Sequence, residues 1–531
     1  MAKTTQKSIH WSDITADRII REHGEKDEYV MAAGITPSGA VHIGNFRETI
    51  TVELVARALK DKGKKAKVIF SWDDYDTFRK VPPDLPKQEM LKEYLYHPVV
   101  DVPDPFGEHP NYAAKRKSDY EKQMPKVGVH MQSISQSAKY RNCEYAKEIK
   151  LALTKKDKII EILNEYRSAP LKEGWLPVSV YCSKCNRDQL ESITFDGENT
   201  LAYKCKMCSH EGEENIEKSS RVKLPWRIDW PMRWVYEGVD FEPGGKDHSS
   251  EGGSYTTSKI IVKEIFGQDP PLYLQYDFVS IKGGGGKMSS SSGNVITIND
   301  VLNVYEPEMV RWIFASYKTN VDFAISFDLD VLKLYEDFDK TERVAFGVEK
   351  ANEKKAAMAN RVYELSQLEH GKLPEKMPIQ PSFRHLCNIL QINDGDIQKS
   401  RKYYQDDIKN DRDERRFNQR ANCALFWLDN YAPEDFKFQI NTQLIETEMS
   451  EEQAEVIYNI KDVIEKEWDQ MTSDKDLHEK IYTIIKATTC EPKEIFPILY
   501  NLLISREKGP KLAGFIRTIG KERVLNLLPT K

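Results

Sequence analysis

The chain has 531 residues, 40% hydrophobic and 31% charged, with a formal net charge of −6; that length suits about three to four domains, and the charge excludes a uniformly basic nucleic-acid binder. No run of about 18 apolar residues is present, which excludes a membrane-spanning helix, and residues 1–11 lack the apolar core of a signal peptide. Eight cysteines are too few for a disulfide scaffold in so long a chain, so the cytoplasm is the expected compartment.

The first predicted element is a short apolar strand at 29–33. A loop at 34–44 follows, with three glycines and a proline. Phe46, Ile50, Leu54 and Ala58 recur every four residues, which predicts a helix ending near Gly63. A second strand is expected at 67–72. Together these form a βαβ unit, and the loop that opens its helix is where a doubly wound sheet takes phosphates. Residues 81–110 are proline-rich and read as irregular surface. Residues 112–167 read as mostly helical, and 177–217 as a compact cysteine-bearing segment.

Val222, Leu224, Trp226, Ile228 and Trp230 alternate with polar or small residues, which predicts a half-buried strand. Gly244-Gly-Lys-Asp-His248 follows a turn and opens a helix over 249–266. Residues 272–281 are strand-like and lead into a glycine-rich loop at Gly283. From about Tyr335 strand signals fade, and helical segments are punctuated by Pro381, Pro433, Pro492, Pro497 and Pro510. The expected domains are a catalytic domain over 1–280, a connecting domain over 281–345 and an all-α domain over 346–531.

Three stretches carry chemistry. In Pro37-Ser-Gly-Ala-Val-His-Ile-Gly-Asn45, His42 and Asn45 stand at a helix start, where backbone N–H groups and the helix dipole attract anions. Both side chains offer donors to a phosphate, and Gly39 and Gly44 let a nucleotide approach the backbone. Far downstream, Gly283-Gly-Gly-Gly-Lys-Met-Ser-Ser-Ser-Ser-Gly-Asn294 couples backbone freedom to a cation. Lys287 is placed to reach a triphosphate, while Ser289, Ser290 and Ser291 offer hydroxyls and N–H groups. An interdomain linker is the alternative, but Lys-Met before serines is not linker composition.

The third stretch pairs Cys182-Ser-Lys-Cys185 with Cys205-Lys-Met-Cys208. This spacing fits a four-thiolate zinc ribbon. Four protein ligands leave no open position, so the expected Zn²⁺ is structural. A redox pair is the competing reading, and His210 is a substitute ligand or a neighbour of the site. The tail from Asn501 holds Arg506, Lys508, Lys511, Arg517, Lys521, Arg523 and Lys531 against Glu507 and Glu522. It is either an RNA-facing patch or a solvated helix face.

The first stretch resembles the "HIGH" signature of class I aminoacyl-tRNA synthetases, with Asn45 in place of the final histidine. The second resembles their "KMSKS" loop, with Ser290 in place of the second lysine. Thr36-Pro-Ser-Gly through Asn45, Ser71-Trp-Asp-Asp-Tyr-Asp-Thr-Phe-Arg-Lys-Val-Pro82, Gly244-Gly-Lys-Asp-His248 and Lys287-Met-Ser-Ser-Ser together resemble the class I lysyl-tRNA synthetase family. The resemblance implies an α/β Rossmann-type catalytic domain with a parallel sheet, a zinc-ribbon insertion at about 177–217 and a helical anticodon-binding domain. It implies L-lysine, ATP with Mg²⁺ and tRNA(Lys) as substrates and partners, a lysyl-adenylate intermediate, no membrane contact and a monomer.

His42, Asn45 and Lys287 are the implied catalytic residues. Pro37, Ser38, Gly39, Gly44, Met288, Ser289, Ser290 and Ser291 join them around ATP. Gly34, Thr36, Trp226, His248 and Tyr276 are the implied lysine contacts; Asp73 and Asp74 are further candidates, as a lysine ammonium calls for carboxylate or aromatic faces. Because Ser290 replaces a lysine, Lys287, His42 and Mg²⁺ carry more of the phosphate charge. The alternatives are another class I synthetase of the glutamyl type and a catalytically inactive RNA-binding paralogue.

Overall fold

The structure, a computed structural model, describes residues 9–283 and 295–531. It divides into two compact units. The first comprises Met1–Leu302, Pro307–Ile325 and Thr341–Glu375; the second comprises Asn303–Glu306, Ser326–Lys340 and Lys376–Lys531.

The first unit is built on a five-stranded sheet. Strand β1 (Glu28–Ile35) leads through helix α1 (Ile43–Asp61) to β2 (Lys65–Trp72), and β3 (Gln132–Ser135) follows. After the cysteine-bearing segment come helix α2 (Trp226–Glu237), β4 (Phe241–Gly245), helix α3 (Ser254–Glu264) and β5 (Leu272–Tyr276). The order across the sheet is β5-β4-β1-β2-β3, and all four pairings are parallel. The chain fills one side of β1 first and then the other. That reversal opens a crevice beyond the carboxyl ends of the strands, the usual ligand position in such sheets. Helix α1 covers the sheet, and fourteen of its 19 residues are buried.

Several elements depart from the sequence pattern. The strand expected over 222–230 is only Val222–Lys223. Pro225 then caps α2, and Trp226, Trp230 and Trp234 follow at i, i+4, i+8. Five residues at alternate positions satisfied both periods, and the longer tryptophan run follows the helical one. Pro231 inside α2 has no N–H for the Arg227 carbonyl, which instead accepts from the Ser258 hydroxyl at 3.5 Å. The predicted strand at 272–281 is two strands in different sheets, since Val279–Ile281 pairs with Phe323–Ile325. Strand β3 lies within the stretch read as helical, because Gln132-Ser-Ile-Ser135 carries too little apolar pattern to announce an edge strand. The stretch at 81–110 is not mere surface: Leu85, Leu91, Val99 and Val102 pack with Phe78, Tyr112 and Ala113.

Residues 341–375 belong to the first unit through a buried ionic seam. Arg311 donates to Glu53 at 2.6 Å and to the Leu365 carbonyl at 3.1 Å. Arg57 binds Glu53 and donates to the Gln367 and Leu368 carbonyls. Such charges are tolerated in the interior because every partner is present. In the second unit, every regular element of 376–531 is helical. One of its cores gathers Ile457, Ile460, Leu499, Leu502, Leu503 and Ile516. Arg420, fully buried, is held by Glu306 at 2.6 Å and Asp339 at 2.8 Å.

Candidate active site

A cavity of about 480 Å³ opens at the carboxyl end of the sheet. Its wall takes Gly34, Ile35 and Thr36 from the end of β1, Asp73 and Asp76 from beyond β2, Gly245 from β4 and Tyr276 from β5. Helix α1 contributes Gly44, Asn45, Glu48 and Thr49, with His42 just before it. Trp226, Asp247, His248 and Val279 complete much of the rest.

His42 is the N-cap of α1. Its Nδ1 accepts the Asn45 N–H at 3.3 Å, and Asn45 Oδ1 accepts the His42 N–H at 3.1 Å. This capping box satisfies two donors that a helix start leaves open. It also fixes the tautomer: with Nδ1 accepting, the neutral ring carries its proton on Nε2. A Cβ on Gly44 would lie 2.9 Å from the His42 ring, so the cap geometry requires glycine there. Pro37 forms the centre of a tight turn in which Ser38 N–H reaches the Thr36 carbonyl at 2.8 Å. Ser38 lines the cavity, whereas Pro37 and Gly39 are buried behind it.

Lys287, Met288, Ser289, Ser290 and Ser291 lie outside the described residues. The chain on either side of them is at the cavity. Val279 is in its wall, and the Ile296 carbonyl accepts the Ile43 N–H at 2.8 Å, one residue from His42.

Gly34, Thr36, Asp73, Trp226, His248 and Tyr276 all line this cavity. Trp226 stacks on Trp230 with ring centres 5.1 Å apart, and the Arg233 guanidinium sits 5.3 Å from the Trp226 ring centre. His248 Nδ1 and Ser254 Oγ are 2.6 Å apart. Tyr276 donates its hydroxyl to Glu48 at 2.7 Å.

Asp73 is paired with Arg233 at 2.6 Å. Burial nevertheless raises its carboxyl to about 7 against that pairing. At Asp76 burial also opposes ionisation, but Lys223 at 2.5 Å and the Thr36 hydroxyl outweigh it and hold the carboxyl low. Asp74 is not part of the cavity wall. It is fully buried, accepting from Lys117 at 2.8 Å, Ser135 Oγ at 2.7 Å and Ser137 N–H at 2.7 Å. It anchors β3 and the helix that follows, and its oxygens are consumed there.

Sequence reasoning did not single out Glu48, Arg233 or Lys223. A carboxylate six residues beyond the motif histidine was a usable signal. The four-residue apolar spacing spoke only for the face of Phe46, Ile50, Leu54 and Ala58, and in the structure Glu48 lines the cavity.

The four cysteines are free thiols with all sulfurs within 4.8 Å of one another. The two knuckles repeat one geometry. Asn186 N–H returns to the Cys182 carbonyl and Ser209 N–H to the Cys205 carbonyl, with Asn186 and Ser209 both at positive φ. Lys184 N–H and Met207 N–H each point to the first sulfur of their pair at 3.4 Å. Four converging sulfurs with amide donors are a fitting donor set for a tetrahedral Zn²⁺. His210 bonds Ser183 Oγ at 2.9 Å and stands outside the sulfur set.

The second unit carries a separate cleft of about 660 Å³. Arg384, Arg506, Lys508 and Lys511 line it around Phe436, with Asp435 and Asp474 as the acidic members. The tail residues Arg506, Lys508 and Lys511 thus share one concave face.

Residues 9–369 match the family described as "tRNA synthetases class I (K)". The chain belongs to that family. It is 48% identical to the lysine–tRNA ligase of Borreliella burgdorferi over 97% of this chain and 98% of that one. The lysine–tRNA ligase of Pyrococcus horikoshii is 42% identical over 98% and 99%. A solved glutamate–tRNA ligase from Elizabethkingia meningosepticum covers 94% of this chain and 98% of its own, at 12% identity and a TM-score of 0.45, a likeness too loose to bear on function. Membership makes this chain an ATP-using aminoacyl-tRNA ligase. Among the described residues no helix is long and apolar enough to cross a membrane.

Proposed function

We infer that this chain attaches L-lysine to tRNA(Lys) through a lysyl-adenylate, releasing AMP and diphosphate. The observation that carries this reading is the end-to-end match to lysine–tRNA ligases. A glutamyl-type specificity is disfavoured by the same match, and an inactive paralogue by the presence of both nucleotide stretches.

In the first step the amino acid's carboxylate attacks the α-phosphorus of ATP. That carboxylate is ionised at neutral pH and needs no protein base. The protein's contribution is alignment, which supplies up to about 7–11 kcal/mol, and fixed donors for developing charge. With Nδ1 serving the cap, His42 would donate to phosphate oxygens through Nε2–H. Lys287 is the proposed cation on the triphosphate, with Pro37, Ser38, Gly39, Gly44, Asn45, Met288, Ser289, Ser290 and Ser291 shaping the nucleotide site. Mg²⁺, when bound with ATP, adds charge neutralisation. Gly34, Thr36, Trp226, His248 and Tyr276 are the proposed lysine contacts, and their convergence on one cavity supports that.

Cys182, Cys185, Cys205 and Cys208 would hold Zn²⁺ as a structural ion. The helical second unit is the proposed anticodon-binding part; its basic, aromatic-bearing cleft suits single-stranded bases and phosphates.

The test is ATP–pyrophosphate exchange with each of the twenty amino acids, with and without tRNA. Lysine is expected to be strongly preferred, and a preference for glutamate or arginine would overturn the assignment. Lys287→Ala is expected to lower the exchange rate about a hundredfold or more, the scale of losing one fixed donor to developing charge, ~3–4 kcal/mol. A rate within a few-fold of the parent would remove Lys287 from the mechanism.

A further inference from the structure

The cavity presents four carboxylates from the sheet and its flanking elements: Glu48, Asp73, Asp76 and Asp247. Two are already matched to protein cations. Asp73 holds Arg233, and Asp76 holds Lys223. Asp247 stands in the short helix Lys246–Ser249, beside Gly245. Glu48 differs from the paired acids. Its two hydrogen bonds come from neutral donors, Gly34 N–H to Oε1 at 2.9 Å and the Tyr276 hydroxyl to Oε2 at 2.7 Å. No ion pair to Glu48 is present among the described residues.

The surroundings of Glu48 disfavour a bare negative charge. Glu242 on β4 and Asp73 beyond β2 face it as like charges. Tyr273 and Tyr276 on β5, and Tyr120 on the helix Tyr112–Glu121, surround it as neutral phenols. Asp76, Asp247, His42 and His248 share the cavity wall. Arg233 is engaged by Asp73 and Asp229, and Arg47 donates to the Lys318, Thr319 and Val321 carbonyls. Burial pushes the Glu48 carboxyl up to about 8. Glu48 is half-buried at the cavity wall; a carboxylate taken from water without a cation is costly, and a matching cation offsets part of that cost.

The geometry points to Glu48 as the residue that receives the ε-ammonium of the substrate lysine, oriented for it by Gly34 N–H and the Tyr276 hydroxyl. This rests on lysine being the substrate, as proposed above. It explains why two implied lysine contacts, Gly34 and Tyr276, are both tied to one side chain. Each bond uses one carboxylate oxygen and leaves a further lone pair on it for the ammonium. It also favours lysine over uncharged side chains of similar length, because only an ammonium gains an ionic partner in Glu48, whereas an apolar ligand leaves that polar carboxyl without one.

Binding the ammonium requires the ionised carboxyl. Below about pH 8 the free site holds a proton that lysine must displace, so the two are linked. The lysine side chain stays protonated throughout this range.

The test uses the full-length protein and its Glu48→Gln variant, in which the amide oxygen can still accept from Gly34 N–H while the amide nitrogen faces the Tyr276 hydroxyl oxygen as a donor. In aminoacylation assays the variant is expected to raise KM for lysine about a hundredfold or more, with KM for ATP within threefold of the parent. Selectivity for lysine over norleucine, which lacks the ammonium, is expected to fall at least tenfold. The parent's KM for lysine is expected to drop by up to about tenfold per pH unit from pH 6 toward 8 and then level, while the variant's profile lacks that limb.

A lysine KM within threefold of the parent, with norleucine exclusion intact, would overturn the assignment of Glu48 alone. A parent that does not activate lysine at all would overturn the substrate reading and this one with it. Should the variant not fold, calorimetry of lysine binding to the parent at pH 7, in two buffers of different ionisation heat, decides the matter. Release of close to one proton is expected; no release would overturn the proposal.

Discussion

At the residue scale, His42 is both a helix cap and a donor candidate, and the two roles separate by atom. Nδ1 serves the cap, and Nε2 carries the proton that a phosphate would receive. Asparagine is among the strongest N-cap residues, so His42→Asn keeps an acceptor for the Asn45 N–H but removes the ring donor. The expected outcome is an unfolding free energy within about 0.5 kcal/mol of the parent, whereas loss of a cap costs about 1 kcal/mol. The pyrophosphate-exchange rate is expected to fall about a hundredfold. Denaturant unfolding and exchange assays on the same preparation check both. A variant that loses stability but keeps its rate would make His42 a cap and nothing more. The histidine, the asparagine and their helix-start position were legible in the sequence. The tautomer was not, because it depends on which backbone N–H the folded loop presents to the ring.

At the element scale, the cysteine knuckles and α2 show the two extremes of legibility. The knuckles are encoded locally: two Cys-x-x-Cys pairs need only a hairpin between them, and Leu190–Phe195, Thr200–Cys205 and Glu211–Asn215 supply an antiparallel meander. Helix α2 was ambiguous in sequence because Val222, Leu224 and Trp226 cross the boundary between a two-residue strand and a helix. Only tertiary context, with Trp230 and Trp234 packed against Val262, decides for the helix. The ribbon also shares a core with the cavity's supports, since Tyr181, Cys182, Leu201 and Cys205 pack in one cluster with Tyr75, Tyr140 and Ile228. Cys205→Ser, or chelation, is therefore expected to release one zinc per chain. Amide exchange is expected to accelerate across 190–215 while β1 and β2 stay protected. Metal analysis with hydrogen-exchange mass spectrometry reads this directly. Equal loss of protection in β1 would mean that the metal holds the whole unit rather than the ribbon.

At the scale of the whole molecule, a net charge of −6 must coexist with a polyanionic tRNA, so attraction depends on local cations screened within about 8–10 Å. The change of composition near Tyr335 announced the helical region. It did not announce that 341–375 returns to the first unit, because that return is fixed by Arg57 and Arg311 reaching carbonyls more than fifty residues away in sequence. The tail cations were equally ambiguous as a linear run; the fold sorts them, placing Lys508 and Lys511 in the cleft with Arg384 and Phe436. Both lysines are exposed, so reversing their charge disturbs no core. If that cleft meets RNA, the paired substitution Lys508→Glu and Lys511→Glu is expected to raise KM for tRNA(Lys) at least tenfold. The steepness of its logarithmic salt dependence is expected to fall by about 1 for each phosphate that is no longer neutralised. KM for lysine and for ATP should remain within threefold, because the cavity's residues lie wholly in the first unit. Charging assays at several salt concentrations, run beside lysine and ATP titrations, distinguish this from a solvated helix face, for which all three constants and the salt slope would stay unchanged.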